Sequence, residues 1–214
     1  MQKKPLVIAV YDPRWFLRVL EILRRRGVSY HHYYTPHEVP LGSIVYTDYK
    51  PIAEELLWRK DLLVVYDSGR TCRLLEKAIS MAYLKERYKS IVVGVDPGRV
   101  LSYVVVGDSE LLMYGSGTVE HLSKDIDYVV NCLDYDELLV RVGTGIMSEE
   151  IILAIKGRFS VPIELVDESY TTPSMRRIHE IEVVSKRLRG IKPFRQKDVY
   201  AAFRIALSKG IEVV

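Results

Sequence analysis

The chain opens with an apolar run, Leu6-Val-Ile-Ala-Val-Tyr11, that ends abruptly at Asp12, as a strand buried on both faces does. Between Pro13 and Arg26 the apolar positions change period. Phe16, Val19, Leu20 and Leu23 fall on one side of a helix, and Arg24-Arg25-Arg26 suit its C-terminal dipole before Gly27. Further strands are predicted at Val28–Tyr34, Ser43–Tyr46 and Leu62–Tyr66, and a long helix at Thr71–Arg87 after the Asp67-Ser68-Gly69 turn. Strands alternating with helices at this spacing predict a small parallel, Rossmann-like α/β domain over residues 1–88.

A different pattern starts at Ser90. Ile91–Asp96, Ser102–Gly107 and Glu110–Tyr114 predict an antiparallel meander, followed by a helix over Thr118–Cys132. Leu138–Val142 and Ile163–Val166 read as buried strands with a helix at Glu149–Arg158 between them. Thr172-Pro173 is a capped helix start, and Met175, Ile178, Ile181, Val184 and Leu188 follow at helical spacing. A last helix is predicted from Lys197 to Lys209. The second domain therefore covers residues 89–214, a mixed sheet with flanking helices.

Composition narrows the class. The chain has 214 residues, 48% hydrophobic and 28% charged, as a folded globular protein does. No apolar stretch approaches the roughly twenty residues needed to span a bilayer, so a cytoplasmic protein with no membrane partner is expected. Cys72 and Cys132 lie far apart, which supports neither a disulfide framework nor a zinc site. Asn131 is the only asparagine, and Gln2 and Gln196 are the only glutamines; so few thermolabile amides suggest a heat-adapted source.

The net charge of +3 is unevenly spread. Residues 173–197 carry eight basic side chains, Arg176, Arg177, Lys186, Arg187, Arg189, Lys192, Arg195 and Lys197, against Glu180 and Glu182. The rest of the second domain carries eight basic and sixteen acidic residues. A basic strip beside an acidic remainder fits a phosphate backbone next to a cation-binding pocket, and fits a solvated basic helix equally well.

Three segments place a carboxylate at the end of a regular element: Val93-Gly-Val-Asp96-Pro97-Gly98, Val166-Asp-Glu168-Ser-Tyr-Thr171-Thr172 and Lys197-Asp198-Val-Tyr-Ala-Ala202. Each has an ordinary reading as a turn or a helix start. Three bare carboxylates sharing a pocket would repel one another into protonation, whereas a hard divalent cation would hold them ionised. The order and spacing of the three resemble the RuvC/YqgF branch of the RNase H-like superfamily over roughly 125 residues from Ile91. Val93–Gly98 is similar to that branch's GIDPG-like strand end, Asp167–Thr172 to its DERLTT-like motif, and Asp198–Ala202 to the opening of its last helix.

The resemblance implies an RNase H-like fold in which Asp96, Glu168 and Asp198 bind Mg²⁺ or Mn²⁺. It also gives Gly98, Thr171 and Thr172 supporting roles, with Thr172 capping the helix that Pro173 begins. The implied activity is phosphodiester hydrolysis in structured nucleic acid, a Holliday-junction-like DNA or an RNA precursor, and homodimers are expected among the RuvC-type relatives. A nucleic-acid-binding protein with a degenerate site is the alternative. Ser169 stands where the motif usually has Arg, Arg99-Val-Leu-Ser102 replaces small residues, and Leu138–Val142 ends without the acid of the resolvases. The resemblance does not reach residues 1–88, where His31, His32 and His37 among Tyr30, Tyr33 and Tyr34 read as an edge-strand aromatic cluster or a surface for bases.

Overall fold

A computed structural model describes residues 2–167 and 197–213 of the chain. They form two compact units, one of Met1–Tyr88 with Tyr128–Asp134 and the other of Lys89–Asp127 with Tyr135–Val214. The helix predicted from Thr172, with Met175 to Leu188, lies outside the described residues.

In the first unit β1 (Leu6–Ala9), α1 (Pro13–Arg25), β2 (His31–His32), β3 (Ile44–Thr47), α2 (Lys50–Glu55), β4 (Leu63–Tyr66) and α3 (Cys72–Ala82) follow one another. The sheet order is β2-β1-β3-β4, and every pairing is parallel. Both faces of β1 are covered, which is why its sequence is a continuous apolar run. Leu6 and Ile8 pack with Val19 and Leu23 of α1 and with Leu75 and Ile79 of α3. Val7 and Ala9 pack on the other face with Val39, Leu56 and Leu62. Asp12 caps α1 by accepting a hydrogen bond from Trp15 N at 2.8 Å, and Pro13 takes the first helical position, where no N–H is needed.

Helix α3 ends at Ala82 rather than Arg87. Leu84 adopts φ 58°, Leu84 N donates to Met81 O and Lys85 N to Ser80 O, the closing pattern of a Schellman turn. Glycine usually marks that turn in a sequence; here leucine occupies it. The expectation of no disulfide is also overturned. Cys72 at the start of α3 and Cys132 at the end of a later helix, α4 (Val119–Cys132), are bonded, with Cα atoms 5.2 Å apart and a sequence separation of 60. Spacing along the chain gives no sign of this, because only tertiary packing brings the two helix ends together. The final turn of α4 belongs to the first unit.

The second unit holds β5 (Tyr88–Asp96, whose Tyr88 falls in the first unit), β6 (Leu101–Gly107), β7 (Glu110–Gly117), β8 (Tyr135–Gly143), α5 (Ser148–Lys156), β9 (Ile163–Val166), α6 (Lys197–Leu207) and β10 (Ile211–Glu212). Strands β5, β6 and β7 form the expected antiparallel meander. The full order is β10-β9-β8-β5-β6-β7, with β8 and β9 parallel. This mixed sheet with helices against it is compatible with an RNase H-like arrangement. The short edge strand β10, antiparallel to β9, takes up Ile211 and Glu212, and the last helix stops at Leu207 instead of Lys209.

Helix α6 sits on the sheet through Val199, Ala202, Phe203 and Ala206, packed against Val104 and Val106. The approach is closest at Gly94 of β5. A Cβ added there would stand 2.6 Å from Ala206 Cβ and 2.7 Å from Ala206 N, besides meeting Ala202 O. Those neighbours include helix backbone, which cannot swing aside. Gly94→Ala is therefore expected to cost about 3 kcal/mol, the upper part of the usual overpacking range. Urea unfolding measures it, and a loss below about 1 kcal/mol would show that α6 yields freely.

Candidate metal centre and its surroundings

Asp96 is the last residue of β5, paired across the meander with Ser102. Strand alternation puts Asp96 on the same face as Gly94, the face that carries α6. Pro97 after it is buried, and the turn continues through exposed Gly98 and Arg99. The Asp96 side chain folds over this turn, with Oδ1 3.6 Å from where a Gly98 Cβ would stand. The glycine thus gives the carboxylate room but is not sterically compelled.

Two neighbouring strands end beside this turn. β8 lies next to β5, and Tyr88 N donates to Asp134 O at 2.9 Å, so both strands start at the same end of the sheet. At their other end a Cβ on Gly145 would lie 2.8 Å from the Pro97 ring and 3.0 Å from Pro97 O. Gly145 has to be glycine for the loop after β8 to rest on the Asp96-Pro97 turn. β9 continues the layer, Gly143 pairing with Val166 and Thr144 N donating to Val166 O at 3.0 Å. The end of β9 is thus two strand spacings from the end of β5, about 10 Å. Asp167, which follows Val166, is exposed.

Asp198 is exposed in the first turn of α6, where the helix dipole favours an acid. It stands one turn before Ala202, whose carbonyl crowds Gly94, while its neighbour Val199 is fully packed against β6. The structure thus describes two of the three expected acids, Asp96 at a strand end and Asp198 on the helix that crosses the same face. Glu168, Thr171, Thr172 and the basic side chains Arg176, Arg177, Lys186, Arg187, Arg189, Lys192 and Arg195 lie outside the described residues, as does the side chain of Lys197. Among the described residues no group of three or more His, Cys, Asp or Glu side chains converges as metal ligands do. The oxygen chemistry of the two described carboxylates suits Mg²⁺ or Mn²⁺ rather than a soft metal.

Two glycine-containing turns that resemble phosphate loops have some of their N–H groups already engaged. In the loop after β8, Ser148 Oγ accepts from Gly145 N at 2.6 Å and donates back to the loop carbonyls of Gly143 and Gly145. In the turn before α3, Asp67 Oδ2 accepts from Thr71 N at 2.7 Å and from Tyr46 Oη at 2.7 Å, and Thr71 Oγ1 caps Leu74 N. Arg70 in that turn pairs with Asp48 at 3.0 Å and Asp12 at 3.2 Å. Asp48 in turn accepts from Tyr11 N and Asp12 N. This network was not legible from sequence, since its acids follow three different strands. It braces the carboxyl end of the first sheet.

No family model matches the chain, and no curated protein matches it. Among solved structures the chain is similar to the Argonaute of Marinitoga piezophila in complex with a 5′-OH guide RNA, with 12% identity and a TM-score of 0.29 over 78% of this chain. The same Argonaute with guide RNA and target DNA gives 10% identity and a TM-score of 0.28 over 78%. The chain spans about two fifths of the length of these Argonautes, 40% and 39%. At such TM-scores the likeness does not fix a common fold. Among the described residues no helix is long and apolar enough to cross a membrane.

Proposed function

We propose that the second unit is a metal-dependent endonuclease of the RuvC/YqgF type, acting on structured nucleic acid such as a four-way DNA junction or an RNA precursor. The observation that supports this most is the placing of Asp96. It ends the first strand of a mixed sheet, on the face crossed by the helix that carries Asp198, beside the ends of the two strands that follow in the sheet. Asp96, Asp198 and Glu168 would hold the divalent ion, Mg²⁺ or Mn²⁺. When bound, the ion supplies charge stabilisation for an attacking water and a departing oxygen at a phosphodiester. The basic positions from Arg176 to Lys197 supply cations for the nucleic-acid backbone, so affinity falls steeply with added salt.

The test is incubation of the full chain with labelled four-way junctions, single strands and structured RNA, with and without Mn²⁺. The expected result is ion-dependent cleavage that Asp96→Asn reduces by at least about a thousandfold, a barrier increase of roughly 4 kcal/mol, while thermal unfolding stays near the parent's. Undiminished cleavage by Asp96→Asn would refute the assignment. Ser169 and the Arg99–Ser102 loop favour a second reading, a binding protein with a degenerate site. Salt-sensitive binding with no turnover in either ion selects it.

A further inference from the structure

Helix α5 turns an apolar side chain outward between two opposite charges. Glu149, Leu153 and Lys156 stand at i, i+4 and i+7, within about 60° of one another around the helix, away from buried Ile151 and Ile155. Leu153 is 64% exposed, and Glu149 and Lys156 are exposed. Seven residues put the two charges about 10.5 Å apart along the axis, too far to pair with each other. Among the described residues neither has an ion-pair partner. The helix dipole favours an acid in the first turn and a base in the last, but it gives no reason for a bare leucine midway.

That leucine is not isolated. All three side chains border an open groove of about 520 Å³ beside β9 and β10, and Ile146, Ile152, Leu165 and Val213 line it with them. Ile146, in the loop just before the helix, is wholly exposed. The loop is not slack: Ser148 Oγ ties it to Gly143 and Gly145, so a braced turn holds Ile146 out in water. A single exposed apolar side chain is ordinary, whereas an apolar groove and a braced apolar tip together mark a contact surface.

We infer that two copies of the chain meet on this surface, α5 against α5, antiparallel about a two-fold axis. Charge complementarity selects the second copy. An acid at one end of the stripe and a base at the other match the same stripe turned end for end. Glu149 then meets Lys156 of the partner subunit, Lys156 meets Glu149 of the partner subunit, and the apolar centres at Ile152 and Leu153 come together on the axis. A uniformly acidic or basic partner would satisfy one end and repel the other. The contact is one short helix long, at the small end of the size range for protein interfaces, so a reversible dimer with a Kd on the order of micromolar is expected. Every residue involved lies in the second unit, and none is an acid of the proposed metal centre.

Sedimentation velocity on the full chain in EDTA, from roughly 1 to 300 μM so as to bracket that Kd, tests it. The parent is expected to pass from monomer to dimer across this range. Leu153→Glu, which sets two carboxylates on the axis, should weaken association at least about tenfold. Glu149→Lys and Lys156→Glu should each weaken it about tenfold, since either change turns two attractions into two repulsions. Combining Glu149→Lys with Lys156→Glu restores the match and should bring association back to within about twofold of the parent's. That double variant opposes the helix dipole at both ends, so its recovery is an outcome that lost helix stability does not produce; circular dichroism verifies that each variant is folded. A parent that stays monomeric throughout would overturn the inference and leave the groove to a different protein. A dimer untouched by Leu153→Glu, or a double variant no better than the singles, would overturn it too. Asp96→Asn should associate as the parent does, so the nuclease reading and this one fail separately.

Discussion

Replacing Glu76 with alanine is expected to destabilise the protein by about 3–5 kcal/mol, the range for removing one partner of a buried ion pair. Arg26 and Glu76 face each other at 3.1 Å with side chains 5% and 2% exposed, and Tyr128 Oη donates to Glu76 at 2.6 Å. Burial alone would drive the Arg26 guanidinium toward neutrality; the Glu76 carboxylate, helped by Tyr88, more than offsets this and raises its pKa. Without Glu76 a full positive charge remains in the interior with, among the described residues, only the Tyr88 hydroxyl as acceptor, at 2.9 Å. The pair is imperfect, because Arg26 Nε and Glu76 Oε2 have no aligned hydrogen bond among the described residues. Imperfect buried pairs are poor net stabilisers, so Arg26→Met/Glu76→Leu should recover much of what Glu76→Ala loses. Urea unfolding of the two variants decides it. If the single variant loses under 1 kcal/mol, or the double loses more than the single, the buried charge is not the cause.

Reduction of the Cys72–Cys132 disulfide is expected to cost about 4 kcal/mol on the chain-entropy account, given a loop closed over 60 residues. The bond joins the first residue of α3 to the last of α4 and lies within the first unit, in the region that also holds Tyr128 and Glu76. Denaturant unfolding with and without reductant, alongside Cys72→Ser/Cys132→Ser, reads the effect. The serine variant should match the reduced parent and ignore reductant. A parent whose midpoint is the same in both conditions would show that the unfolded chain gains little freedom from the cut.

Much of the architecture was legible because its causes are local. Leu6–Tyr11 is uniformly apolar since β1 is covered on both faces, and Phe16 to Leu23 repeat at helical spacing since α1 lies on one of those faces. The meander from Ile91 was equally plain. What escaped reading depends on distant partners. The turn at Leu84 has no glycine to announce it, α2 is too short for a period to register, and β10 exists only by pairing with β9. Cys72 and Cys132, like Arg26 and Glu76, become partners only after two helices pack. At the candidate site, the sequence marked Asp96 and Asp198 as element ends, and the fold explains why Gly94 and Gly145 around them are bare: helix backbone fills one space and Pro97 the other.

The bare Cα of Gly94 also works as a gauge. It sets the height at which α6 rides over the sheet, and Asp198 is one helical turn from that point of contact. Two methyl-sized residues, Ala202 and Ala206, fix the same height from the helix side. A single methylene added at any of the three would lift the helix like a shim, shifting the reach of a carboxylate without altering any acid. Tolerance of volume at these small residues is therefore a measure of how finely that reach must be held.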